Sequence, residues 1–141
     1  MPMTPQSSSS RLFRQFCDRT LPKVRWTHEA HLTVCWHALA EHGAGALDWL
    51  RVAIPAYNDA TQTPNTSASG YHETLTVYYV EAVAHAGATR PEQLWAQPWC
   101  SREAPLRHWS RTTLFDPAAR AGWVEPDLAP LPWAAETARG G

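Results

Sequence analysis

Long apolar runs are missing from this sequence. None of the runs in its 141 residues approaches the ~20 apolar residues that a helix needs to cross a bilayer. The opening letters MPMTPQSSSS contain neither the basic segment nor the apolar segment of a signal peptide. We therefore expect a soluble cytoplasmic protein without a membrane partner.

Excess charge and cysteine motifs are also missing. The formal net charge is -1 at pH 7, which gives no electrostatic reason to expect a nucleic-acid partner. Three cysteines form no CxxC pair and are odd in number, as is typical of reduced thiols rather than a disulfide framework. Glycine-rich phosphate loops, a GxSxG elbow and internal repeats are absent as well. None of the corresponding enzyme classes is indicated.

Helical patterns dominate what is present, and strand candidates are too few for a sheet. WTHEAHLTVCWHALAEHG predicts a helix capped by Thr27 and ended by Gly43. ALDWLRVAIPAYNDA repeats the pattern, with Pro55 expected to kink or end that helix. A third helix should run from Tyr71 to Gly87, where VYYVEAVAHA is long and apolar.

The predicted fold class is therefore all-α: a small bundle of three longer helices plus short helices, followed by an extended, proline-rich C-terminal arm. Leu128, Leu131 and Trp133 are expected to hold this arm to the body. We expect residues 1–10 to be a disordered tail, 11–133 a single helical domain and 134–141 a frayed tail.

Four side chains with ligand chemistry lie near the starts of two of these helices. His28 and His31 are three residues apart, so on a helix they project from one face. His72 and Glu73 open the later helix. If the two helix starts are adjacent, all four meet at one end of the bundle, as metal ligands do in helical bundles. The pattern predicts a divalent ion, which could be zinc, iron, nickel or manganese.

Two chemical roles stay open for this cluster. With a metal ion, Glu73 is either a ligand or the general base that accepts a proton from bound water. Without a metal, His72 is an oriented base or part of a polar floor, and Tyr71 is a candidate proton donor. Packing and satisfied buried polar groups are the alternatives for each of these residues.

Further residues are candidates for contact with a substrate. Asn58 and Asn65 border the polar loop TQTPNTSASG, although local bonds that hold the loop backbone are an equally physical role. Thr76 shares the stripe of His72, and His108 lies in the basic run RHWSR. Eight tryptophans provide either core or the walls of a pocket.

The chain resembles a set of small uncharacterised bacterial proteins that share WTHEAHL, NTSASGYHETLT after a YN pair, and PLRHWSRTTLF with WVEPDLAPLP. The resemblance spans roughly 26–133 and implies that these segments form one domain. A looser likeness is to the DinB-like helical bundles, whose family pattern is a three-histidine metal site. That pattern has one histidine on one helix and two, four apart, on another, whereas here the closer pair is three apart and comes first.

Two functions follow as hypotheses. The first is a metal-dependent enzyme that acts on a small organic molecule by hydrolysis or oxidation. The second is a metal-free binding or regulatory module with a pocket lined by Trp and Tyr. The sequence gives no indication of oligomeric state.

Overall fold

The fold is known from a computed structural model, which describes residues 8–133. Its helices are α1 (Ser8–Asp18), α2 (His28–His42), α3 (Ala46–Ala60), α4 (Glu73–Ala86), α5 (Arg111–Leu114) and α6 (Pro117–Ala121). Short 3₁₀ turns cover Lys23–Arg25, Gly43–Gly45, Pro91–Ala96, Pro98–Cys100 and Ala104–Arg107. The described residues contain no strand, so the predicted all-α bundle is confirmed.

Local capping chemistry explains where α2 and α4 begin and end. The Thr27 side chain accepts a hydrogen bond from the amide of Ala30, 3.2 Å away, and satisfies a donor of the first turn of α2. Gly43 and Gly87 end α2 and α4 with φ of +53° and +61°, which glycine adopts without steric cost. All three boundaries agree with the sequence prediction.

Helix α1 begins earlier than predicted. The expected disordered tail covered residues 1–10, but Ser8–Asp18 is helical and the Ser9 hydroxyl lies 3.2 Å from Nε2 of His37 on α2. Phe13 and Phe16 are buried, and their burial against the bundle stabilises the whole helix. Residues 1–7 and 134–141, where the tails were predicted, lie outside the described residues.

Helix α3 covers the predicted segment, and Pro55, which was expected to kink or end it, does not end it. The helix continues to Ala60, and Tyr57 and Asn58 beyond the proline are buried. Tyr57 donates a 2.8 Å hydrogen bond to the carbonyl of Leu21. Tertiary packing of the last turn therefore outweighs the backbone hydrogen bond that proline removes.

Helix α2 lies at the centre and packs against α1, α3 and α4. The C-terminal arm, residues 123–133, contains neither helix nor strand, and two tryptophans link it to the body. Trp109 donates to the carbonyl of Val124 at 3.0 Å, and Trp133 donates to the Glu81 carboxylate at 2.7 Å. Leu128, predicted to anchor the arm, is instead 59% exposed. No helix in the described part of the chain is long and apolar enough to span a membrane.

Candidate functional site

A cavity of about 560 Å³ lies beside the first turns of α2 and α4. Its walls are mainly aliphatic and aromatic. They include Trp26, Leu50, Ile54, Tyr71, Leu75, Tyr79, Leu106, Leu114 and Phe115. Three of the four predicted metal ligands, His28, His31 and His72, also line it. Both helix starts therefore border one chamber.

An aromatic wall surrounds His31. The ring centroid of Trp26 lies 3.8 Å from that of His31, and Trp26 also packs against Phe16 and Tyr57 with centroids 5.0 Å away in each case. These contacts join the cavity wall to the core. Among the tryptophans, Trp26 is a pocket residue, whereas Trp109 and Trp133 are core.

His28 and His31 each use one ring nitrogen to hold the backbone. Nε2 of His28 donates to the carbonyl of Cys100 at 2.7 Å, and Nδ1 of His31 donates to the carbonyl of Thr27 at 2.8 Å. A carbonyl only accepts, so these nitrogens carry the protons. When the rings are neutral, Nδ1 of His28 and Nε2 of His31 are left as acceptors.

His72 has a different role, because both of its ring nitrogens are engaged. It is the N-cap of α4: Nδ1 accepts from the amide of Leu75 at 3.1 Å, and Nε2 donates to the carbonyl of Leu114 at 2.8 Å. Burial lowers the pKa of His72, in keeping with this neutral tautomer. The ring joins α4 to α5 and has no lone pair left for a metal ion.

Glu73 is held by an ion pair and does not line the cavity. Its carboxylate accepts from Arg51 at 2.6 Å and from the Tyr71 hydroxyl at 2.7 Å. Burial and this hydrogen bond raise the pKa of Tyr71 well above its usual range. Tyr71 therefore lines the cavity with a hydroxyl that already donates to Glu73, rather than as a free proton donor.

The predicted four-ligand set does not fit a metal ion in this arrangement. His72 has no free nitrogen, and Glu73 is bound by Arg51 and Tyr71. Cys35 also lines the cavity, and burial raises the pKa of its thiol to about 12. No group of three or more candidate ligands lies together among residues 8–133. The metal ion, and the enzyme that depends on it, stay predictions from the sequence.

Of the predicted substrate contacts, Asn58 and Thr76 line the cavity. Thr76 donates to the carbonyl of His72 at 2.8 Å. Asn65 instead organises the loop: its side chain accepts from Asn58 at 2.9 Å and from the amide of Tyr71 at 3.0 Å. His108 is buried away from the cavity, where it donates to the carbonyl of Ala129 in the C-terminal arm at 3.2 Å.

The loop depends on the absence of a side chain at Gly70. Its φ is +81°, and a Cβ there would lie 2.5 Å from the carbonyl oxygen of Pro64. We expect Gly70→Ala to lower the free energy of unfolding by about 2–3 kcal/mol, through left-handed strain and overpacking.

Gly87→Ala is the matched control, because Gly87 also has a positive φ but open space around it. Gly87→Ala should lower the free energy of unfolding by only about 1 kcal/mol. Urea denaturation of both variants checks the difference, and equal losses would contradict the close packing at Gly70.

His31 should make stability sensitive to acid. Burial lowers its pKa to about 4, below the ordinary value near 6.5. The unfolded chain therefore binds more protons at mildly acidic pH, and stability present above about pH 6.5 is lost as pH falls. We expect His31 to contribute a loss of about 2 kcal/mol between pH 7 and pH 5. As pH falls from 7 to 5, the urea midpoint of His31→Gln should decrease less than that of the wild type. An equal decrease in both proteins would contradict a His31 imidazole that is neutral in the folded state.

Sequence reasoning missed Lys23 and Arg102, which also line the cavity. Both are exposed basic residues in short 3₁₀ or irregular segments, where no periodic pattern marks a shared face. Their presence in one lining depends on how separate segments of the chain pack.

No family model, curated protein or solved structure matches this chain. Its function is therefore inferred from the geometry of the cavity.

Proposed function

We propose that the protein is a small-molecule-binding or regulatory module whose ligand occupies this cavity without a metal ion. The observation that carries the proposal is the cavity itself, about 560 Å³ and lined mainly by apolar and aromatic side chains. Pockets that bury small ligands typically measure ~300–1,000 Å³ and combine such walls with a few polar groups.

The polar groups of the cavity favour binding over acid–base catalysis. An imidazole with a pKa near 4 is a weak base at neutral pH, where catalytic bases have a pKa close to the working pH. The Tyr71 hydroxyl donates to Glu73, and His72 donates to Leu114. Nδ1 of His28 and Nε2 of His31 remain as acceptors for a ligand hydroxyl or amide.

Thermal unfolding with added ligand tests the proposal. The probe is 2-naphthylacetamide, a neutral molecule with an aromatic body and one amide. A ligand that binds only the folded state stabilises it by about 2.7 kcal/mol at 100 times its dissociation constant. We expect a saturable rise in the unfolding temperature of protein treated with a chelator.

A variant with a narrowed cavity tests whether the probe binds there. Leu75→Trp combined with Leu106→Trp puts two larger side chains into the lining and should weaken the response to the probe. Leu128→Trp is the control, because Leu128 is 59% exposed and outside the lining. The proposal is wrong if the probe has no effect on the wild type, or if all three proteins respond alike.

A further inference from the structure

The charged side chains that line the cavity are all of one sign. Lys23 and Arg102 belong to the lining, and none of the lining residues in the described part of the chain is Asp or Glu. The overall net charge of -1 hides this local excess. An electropositive cavity favours ligands that carry negative charge.

Neither cation forms an ion pair with a described residue. The ion pairs among residues 8–133 are those of His42 with Glu41 and of Arg51 with Asp48 and Glu73. The Lys23 and Arg102 side chains make no hydrogen bond to any described residue, in contrast to Arg120, which donates to the carbonyls of Gly70 and Tyr71. Both lining cations remain available to a ligand.

Lys23 and Arg102 reach the cavity from different segments of the chain. Lys23 opens the 3₁₀ turn before α2, and Arg102 follows the turn that ends at Cys100. Two separate segments therefore each bring one cation to the same lining.

The remaining lining limits which anion fits. A phosphate group is usually held by several free backbone amides at a helix start or in a nest. Here Thr27 caps the amide of Ala30 and His72 caps the amide of Leu75, and most of the wall is apolar. One carboxylate against a guanidinium and an ammonium needs no such amides.

We infer that the ligand is an amphipathic monocarboxylate, with an aromatic or aliphatic body in the cavity and its carboxylate bound by the lining cations, Arg102 above all. This inference rests on the proposed function, since it names the ligand class for the same cavity. The apolar walls supply binding through burial of the body, and the cations select the charge of the head group.

Titration calorimetry with three naphthyl probes tests the inference on the full chain. The probes are 2-naphthylacetate, 2-naphthylacetamide and 2-(2-naphthyl)ethylamine, which share a ring system and differ in charge. We expect the carboxylate to bind about tenfold more tightly than the amide, the amine to bind most weakly, and high salt to reduce the difference.

A charge reversal identifies the residue that selects the carboxylate. Arg102→Glu should abolish the preference for the carboxylate over the amine, while Arg107→Glu, an exposed arginine outside the lining, should keep it. Equal affinity of wild type for carboxylate and amide would overturn the inference and leave the proposed function standing. An equal effect of both substitutions would also overturn it. Absence of binding by all three probes would overturn both proposals.

Discussion

Trp109→Ala should lower the free energy of unfolding by about 3–5 kcal/mol, as truncation of a large buried aromatic does. Trp109 is fully buried. Its ring packs edge-on against Tyr78 and Trp123 with centroids 5.7 and 5.5 Å away. The substitution also removes the 3.0 Å hydrogen bond from the Trp109 indole N–H to the carbonyl of Val124, so the C-terminal arm should become less protected. Chemical denaturation and amide exchange of the arm measure both effects.

Trp95→Ala is the control for this prediction. Trp95 is 43% exposed, and its truncation should cost less than about 1 kcal/mol. Similar losses for the two tryptophans would contradict the division into a core Trp109 and a surface Trp95.

Arg51→Met should lower the free energy of unfolding by about 2–4 kcal/mol, because it leaves the carboxylate of Glu73 without its cation. Arg51 donates to both carboxylate oxygens at 2.6–3.2 Å, and the Glu73 side chain is only 12% exposed. Urea denaturation of wild type and variant at pH 7 measures the loss.

Asp48→Asn removes the other partner of the same arginine. Asp48 is 83% exposed and lies 2.7 Å from Arg51, so this pair should contribute at most about 1 kcal/mol. If Asp48→Asn destabilised the protein as much as Arg51→Met, the importance given to the Arg51–Glu73 pair would be wrong.

Features that depend on local chemistry were predictable from the sequence. Thr27, Gly43 and Gly87 mark helix boundaries because capping and left-handed backbone involve residues within one turn. Asp116 likewise caps α6 by accepting from the amide of Ala118 at 2.9 Å, a contact between residues two apart in the sequence. The all-α class followed from the same helical periodicity.

Features that depend on distant partners were not predictable in the same way. The partners of His72 and Glu73 are Leu114 and Arg51, which lie 42 and 22 residues away in the chain. Periodicity placed the two residues at a helix start but does not encode what packs against them. A histidine as N-cap and a glutamate in an ion pair therefore resembled a ligand pair at the level of sequence.

Pro55 illustrates the same limit for secondary structure. Its missing amide predicts a kink or an end, yet the helix does not end there and continues to Ala60, with Tyr57 beyond the proline buried. The two leucines of the arm show the same limit. Leu131 is 3% exposed, whereas Leu128, three residues earlier, is 59% exposed.

Calorimetric titration of chelator-treated protein with 2-naphthylacetate is the most direct test of a cavity that binds its ligand without a metal ion. Saturable binding of one probe per chain, unchanged when zinc, iron, nickel or manganese ions are added back, is the expected result. Binding that appears only after one of these ions is restored, or no binding under either condition, would contradict metal-free binding in this cavity.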